Sequence, residues 1–182
     1  MSKAIGMIEF KTVSAGITAA DAMVKTADVE LLEAQTVCPG KYIVLISGDL
    51  SAVKASVDAA KTQCSENLVD SFVLGNPHES IFPALYGATP VENVKALGVL
   101  ESYDVAAMIV AADTAAKTSV VTLLELRIAR GMSGRSFMLI TGDVAAVEAA
   151  IEHAKTYVSE EGVLLDSTVI ANPDNKLWEH IL

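Results

Sequence analysis

Runs of apolar residues alternate along the chain with segments of helical period. The run Ala4–Phe10 is short, apolar and rich in residues that suit a strand, so it predicts a first β-strand. The small residues Ser14–Gly16 open a helix, in which apolar side chains then recur at i, i+3, i+4 and i+7 along one face. They are Ala20, Met23, Val24 and Ala27. Three further apolar runs predict the remaining strands of the unit: Val29–Thr36, Tyr42–Ser47 and Leu68–Leu74.

A second helix is predicted between the last two of these strands. Its apolar face consists of Val53, Val57, Ala60 and Cys64, and either Asp49 or Ser51 can cap its N-terminus. The order is therefore β-α-β-β-α-β, a ferredoxin-like unit of the α+β type within the broad α/β class. Such a unit has one sheet covered on one face by two helices. A short helix is expected at Ile81–Leu85, followed by a linker at 86–90.

The same pattern then returns. Ala4-Ile5-Gly6-Met7-Ile8-Glu9 matches Ala96-Leu97-Gly98-Val99-Leu100-Glu101 at an offset of 92, Gly48-Asp49 returns at 94 and Leu68-Val69-Asp70-Ser71 at 96. Ordered matches with a slow drift are the signature of a tandem duplication with small loop insertions. The sequence thus predicts two domains, residues 1–90 and 91–182.

Composition narrows the classes of function. Hydrophobic residues make up 52% of the 182 and aromatics 5%, so two small domains are left with apolar surface that favours burial between subunits. The net charge of −10 disfavours nucleic-acid binding. We expect no signal peptide, no membrane span and a reducing, cytoplasmic setting for the two cysteines. Spacing yields no catalytic triad, paired carboxylates or phosphate loop, so the sequence predicts a protein that is not an enzyme.

The two cysteines differ when each is compared with the equivalent position of the second repeat. Cys64 is replaced by Val158 on the equivalent helix face, which indicates a small packed hydrophobe. Cys38 lies in a turn beside Pro39 and Gly40, and the matching loop 129–135 has no thiol. Cys38 is either a lone surface cysteine or one ligand of a metal site, and since ligands at suitable spacing are missing, such a site must be built by symmetry.

At this point the residues resemble a known family. The Ala-x-Gly-x-x-Glu strand, the run Asp21-Ala22-Met23-Val24-Lys25 and Gly48-Asp49-Leu50 resemble bacterial microcompartment shell domains. With the duplication, the chain resembles the tandem-domain, PduT-type members, which form pseudohexameric trimers and tile into flat layers. The run Thr36–Lys41 is similar to their central loop, so the resemblance implies a pore loop of Val37, Cys38, Pro39, Gly40 and Lys41. It also implies one [4Fe-4S] cluster per homotrimer, held by three Cys38 thiolates on the three-fold axis.

The resemblance extends to the rim of the tile. It places Lys25 and Lys117 at the tile edge, although an exposed lysine late in a helix is also favourable to the helix dipole. Many members carry Arg-Pro-His after the last strand, where this chain has Asn76-Pro77-His78. That departure weakens the expected contact between tiles and favours a minor component of the facet.

The sequence therefore predicts a structural shell protein of a bacterial microcompartment whose iron–sulfur cluster serves electron transport across the shell or cluster delivery to enzymes inside. Its expected partners are further copies of itself, other shell proteins and lumenal redox enzymes. Two alternatives remain open: a purely structural tile with a pore for a small metabolite, and a ferredoxin-like trimeric regulator that binds an effector between subunits.

Overall fold

The computed structural model describes residues 3–91 and 93–182 and divides them into two compact units. The first comprises the residues up to Pro77 with 131–133, and the second comprises 78–130 with 134–182. The predicted division at residue 90 was drawn from the repeat alone. The structural division falls earlier because the short helix after the first repeat packs within the second unit.

The first unit is built from four strands and two long helices in the predicted order. They are β1 (Ala4–Phe10), α1 (Val13–Thr26), β2 (Val29–Val37), β3 (Lys41–Gly48), α2 (Leu50–Gln63) and β4 (Leu68–Gly75). The sheet order is β2-β3-β1-β4, and the pairs are antiparallel. Both helices pack on one face of this sheet, against Ala4, Ile8 and Phe10 of β1. The ferredoxin-like topology is confirmed.

The second unit repeats this arrangement and adds a short helix at each end. Its elements are α3 (Ile81–Leu85), β5 (Ala96–Ser102), α4 (Val105–Thr118), β6 (Val121–Ile128), β7 (Ser136–Gly142), α5 (Val144–Glu160), β8 (Leu164–Ile170) and α6 (Asn175–Ile181). The sheet order, β6-β7-β5-β8, is the equivalent of the first. Register shifts also recur at equivalent places, after Leu31 in β2 and after Leu123 in β6.

One glycine in the first strand of each unit sets the distance between helix and sheet. A Cβ on Gly6 would lie 2.6 Å from Val53 Cγ1, and a Cβ on Gly98 would lie 2.8 Å from Val147 Cγ1. A side chain at either position would therefore push the second long helix off its sheet. The glycine of the Ala-x-Gly-x-x-Glu pattern is explained by this close approach.

Candidate functional site

Cys38 lies at the tip of a tight hairpin in the first unit. Strand β2 ends at Val37 and β3 begins at Lys41, so three residues make the turn, and the N–H of Gly40 donates to the carbonyl of Val37 over 3.0 Å. Gly40 has a φ of 88°, which glycine adopts without steric cost. The peptide bond between Cys38 and Pro39 is cis. The turn leaves the Cys38 thiol partly exposed.

The base of this hairpin is anchored on both sides. Val37 is buried, and the ammonium of Lys41 lies 3.2 Å from Oε2 of Glu9, a carboxylate on β1 that is itself buried. Such a partly buried pair is screened less by solvent than a surface pair. The turn that carries Cys38 is therefore tied to β1, one of the two inner strands of the sheet.

One chain supplies one ligand at this place. In the part of the chain that the structure describes, no three His, Cys, Asp or Glu side chains gather closely enough to hold a metal ion. An iron–sulfur cluster is ordinarily bound by four thiolates. The donor set at Cys38 consequently fits such a cluster only where several copies of the chain bring their hairpins together.

The matching loop of the second unit is longer and differently held. It spans 129–135, and the N–H of Ala129 donates to the carbonyl of Arg135 over 3.1 Å. Ala129, Gly131, Ser133 and Gly134 all have positive φ. Arg135, the equivalent of Lys41, stacks over the ring of Tyr103 at 5.6 Å. The two units thus present different loops at equivalent positions.

The two lysines expected at a tile edge both pair with an aspartate one turn earlier. Lys25 Nζ lies 2.6 Å from Oδ2 of Asp21, and Lys117 Nζ lies 2.7 Å from Oδ2 of Asp113. The pairs differ in burial: the Asp21 side chain is 59% exposed, whereas that of Asp113 is 8% exposed. The geometry of i,i+4 pairing is shared, and the role of these lysines at an edge stays a prediction.

The residues after β4 contribute a contact that sequence reasoning missed. The backbone N–H of His78 donates to Oδ1 of Asp113 over 2.7 Å, so this carboxylate joins His78 and Lys117. The His78 ring bonds Ser80 through Nδ1 at 2.8 Å, and Asn76 has a φ of 54°. The only signal in the sequence was an acid at the same helix position in both repeats.

Cys64 lies at the C-terminus of α2, where it is partly buried against the core of the first unit. Its Sγ lies 3.7 Å from the carbonyl oxygen of Ala15. This agrees with a packing role.

Among the described residues no helix has the length and apolar character needed to cross a membrane.

Comparison with known proteins gives consistent matches. The BMC domain model matches residues 4–77 and 96–173. The bacterial microcompartment shell protein PduT of Citrobacter freundii is 39% identical over 182 residues, which is 100% of this chain and 99% of that protein.

Solved structures agree with the sequence matches. A crystal structure of a microcompartment protein from Desulfitobacterium hafniense DCB superposes with a TM-score of 0.94 at 48% identity, covering 98% of this chain and 99% of that one. A fused, permuted hexameric shell protein from the RMM microcompartment shares the fold, with a TM-score of 0.65 at 22% identity, over 87% of this chain and 84% of that one.

Proteins of this kind are structural and assemble with other shell proteins. Two matched domains, and similarity to a shell protein along the whole chain, decide the assignment. The chain belongs to the bacterial microcompartment shell protein family, as a member with two tandem BMC domains.

Proposed function

We propose that this shell protein forms a homotrimer in which three Cys38 thiolates bind one [4Fe-4S] cluster on the three-fold axis. The observation that carries the proposal is the placement of a partly exposed thiol at the tip of a three-residue hairpin. The loop at the equivalent position of the second unit has no cysteine, so each chain of a trimer supplies one thiolate and the trimer supplies three.

The surrounding residues support the thiol in that role. The positive φ of Gly40 allows the tight turn, while buried Val37 and the Lys41–Glu9 pair anchor its base. Because Lys41 is engaged with Glu9, the tip itself carries only Cys38, Pro39 and Gly40. A cluster of this type supplies one-electron transfer when bound. The fourth iron is left for water, a small ligand or a partner.

The function that follows is electron transfer across the shell, or cluster delivery to redox enzymes inside it. A second candidate is a purely structural tile whose axis passes a small metabolite. The uncharged tip of the hairpin favours that candidate where no cluster is bound, since Cys38, Pro39 and Gly40 place no fixed charge there. Membership in a shell family favours either of these over an effector-binding regulator.

Iron and sulfide content decides between the two. Protein purified without air is expected to contain about four irons and four sulfides per three chains and to absorb broadly in the visible. Cys38→Ser is expected to abolish both signals while the mass stays that of a trimer. Cys64→Ser is the matched control, because its thiol packs against the core, and it should retain the iron. Colourless, iron-free wild-type trimers would leave the metabolite pore as the function.

A further inference from the structure

The three arginines of the chain all lie on the hairpin formed by β6 and β7. They are Arg127, Arg130 and Arg135, and residues 126–142 contain no aspartate or glutamate, although the chain as a whole has a net charge of −10. The lysines, by contrast, are scattered along both repeats. The hairpin therefore carries a local positive charge on an acidic protein, and such a charge attracts anions.

The guanidinium groups of this hairpin differ in what surrounds them. Arg127 Nη2 lies 2.6 Å from Oε1 of Glu125, so its charge is already paired. The guanidinium of Arg135 has no carboxylate partner among the described residues, and it lies 5.6 Å from the centroid of the Tyr103 ring. Both Arg130 and Arg135 are exposed. The charge that is accessible to a ligand thus lies on the loop 129–135 rather than on the strand before it.

The equivalent cation of the first unit is used differently. Lys41 stands at the position of Arg135 and pairs with Glu9 at 3.2 Å. The equivalent of Glu9 is retained as Glu101, yet Arg135 lies over Tyr103 instead. A ring that holds one face of a guanidinium leaves its N–H edge open. This edge is the part of an arginine that binds an oxyanion with two parallel hydrogen bonds.

The backbone of the loop adds a second feature that suits an anion. Ala129, Gly131 and Ser133 have φ of 54°, 67° and 55°, whereas the residues between them do not have positive φ. Alternation of left-handed and right-handed conformations turns successive N–H groups towards one side, and such concave loops bind phosphate in proteins. In the turn 38–40 of the first unit only Gly40 has positive φ, so this feature belongs to the second loop.

We propose that the loop 129–135 is a binding site for a phosphate group, either the free ion or a phosphate ester. Arg130 and Arg135 supply the charge, and the guanidinium of Arg135, held on Tyr103, donates to two phosphate oxygens. Backbone N–H groups of the loop donate to the others. A phosphate suits the site better than a carboxylate because it carries more oxygens and up to about two negative charges. The site belongs to one chain, so it depends on neither the trimer nor the cluster.

Isothermal titration calorimetry of the full chain with inorganic phosphate at low ionic strength tests the site. Arg135→Gln is expected to bind phosphate at least about tenfold more weakly than the wild type, because the bidentate contact is lost. Tyr103→Leu is expected to weaken binding about threefold, since Arg135 loses the ring that orients it. The matched control is Arg127→Gln, which removes the same charge from the same hairpin but from a guanidinium already paired with Glu125. Its affinity should stay within about twofold of the wild type.

Two further ligands, titrated under the same conditions, identify the chemistry that the site recognises. Acetate is expected to bind at least about tenfold more weakly than phosphate. Methyl phosphate, compared with inorganic phosphate, shows whether the site prefers an ester or the free ion.

Three results would overturn the proposal: a wild type that binds no phosphate, acetate bound as tightly as phosphate, or equal losses in Arg135→Gln and Arg127→Gln. Equal losses would mean that the hairpin attracts anions only through its overall charge. Circular dichroism spectra verify that each variant is folded. Iron content, measured on the same samples, tests the cluster separately.

Discussion

In the first unit, Phe10 and Tyr42 lie opposite each other on neighbouring strands, and both belong to the core under the helices. At the same register of the second unit, Ser102 lies opposite Ser136. The lost aromatic volume is accompanied by a change on the helix above. Gly16, whose Cβ would stand 2.2 Å from the Tyr42 ring, is replaced by the fully buried Met108.

The comparison shows that one backbone accepts two distributions of core volume. In the first unit, strand side chains fill the space between sheet and helix, and the helix has a glycine there. In the second unit, a methionine on the helix fills the equivalent space. As a consequence, the second unit buries two serine hydroxyls where the first unit has aromatic rings. Ser102 Oγ donates to the carbonyl of Val163 over 3.1 Å and accepts from the N–H of Asp104 over 3.0 Å, while Ser136 Oγ is buried and has no hydrogen-bond partner among the described residues.

The largest expected effect on stability comes from removing the Phe10 ring from the core of the first unit. Phe10→Ala is expected to lower the free energy of unfolding by about 3–5 kcal/mol, because a fully buried ring leaves a cavity that the bare helix cannot fill. Ser102→Ala, at the equivalent position, is expected to cost about 1 kcal/mol, the size of a hydrogen bond. Urea denaturation at one protein concentration measures both. Equal costs would mean that the two cores are not built differently.

A second contrast concerns the aspartates Asp21 and Asp113. Asp113→Ala is expected to destabilise the chain by about 2–3 kcal/mol, since it leaves the partly buried N–H of His78 without this acceptor and removes the buried carboxylate that pairs with Lys117. Asp21→Ala removes an exposed ion pair and should change the folding free energy by less than about 1 kcal/mol. Both are measured by urea denaturation at one protein concentration. A loss of similar size at both positions would contradict the difference in burial.

Much of the fold could be predicted because the apolar periods are clear and occur twice. Strand β1 spans Ala4–Phe10 as predicted, and the loop 129–135 falls between β6 and β7 as the repeat indicated. The first residue of α1 was harder to predict from the sequence. Thr12 is its N-cap and accepts from the N–H of Ala15, whereas the small residues from Ser14 onward had suggested the beginning.

The candidate site was only partly predictable, for a physical reason. Cys38 stands out because its turn differs between repeats, which a single sequence can show. The ion pair that anchors this turn could not be predicted, because Glu9 and Lys41 are 32 residues apart and meet only once β1 and β3 pair. The bond between His78 and Asp113 spans 35 residues and uses a backbone N–H, which leaves no trace in a residue pattern.

The smallest effect is expected to be a gain. Ser47 and Ser136 are buried in strands β3 and β7, and neither hydroxyl has a hydrogen-bond partner in the described structure. Burying an unpaired hydroxyl costs free energy, so Ser136→Ala and Ser47→Ala are each expected to stabilise the chain by about 0.5–1 kcal/mol. Thermal denaturation of the single variants and of the double variant measures the gain, which should be additive because the two serines lie in separate units.

Ser56→Ala is the matched control for this pair of variants. Ser56 is equally buried, but its Oγ donates to the carbonyl of Met23 over 2.9 Å, so its removal orphans an acceptor and should lower stability by about 1 kcal/mol. A gain at Ser47 and Ser136 together with a loss at Ser56 would separate the cost of an unpaired hydroxyl from the effect of serine itself. If all three variants lost stability, the two orphaned hydroxyls would have partners in solution, and the hydrogen bonding of the two units would be more alike than their packing.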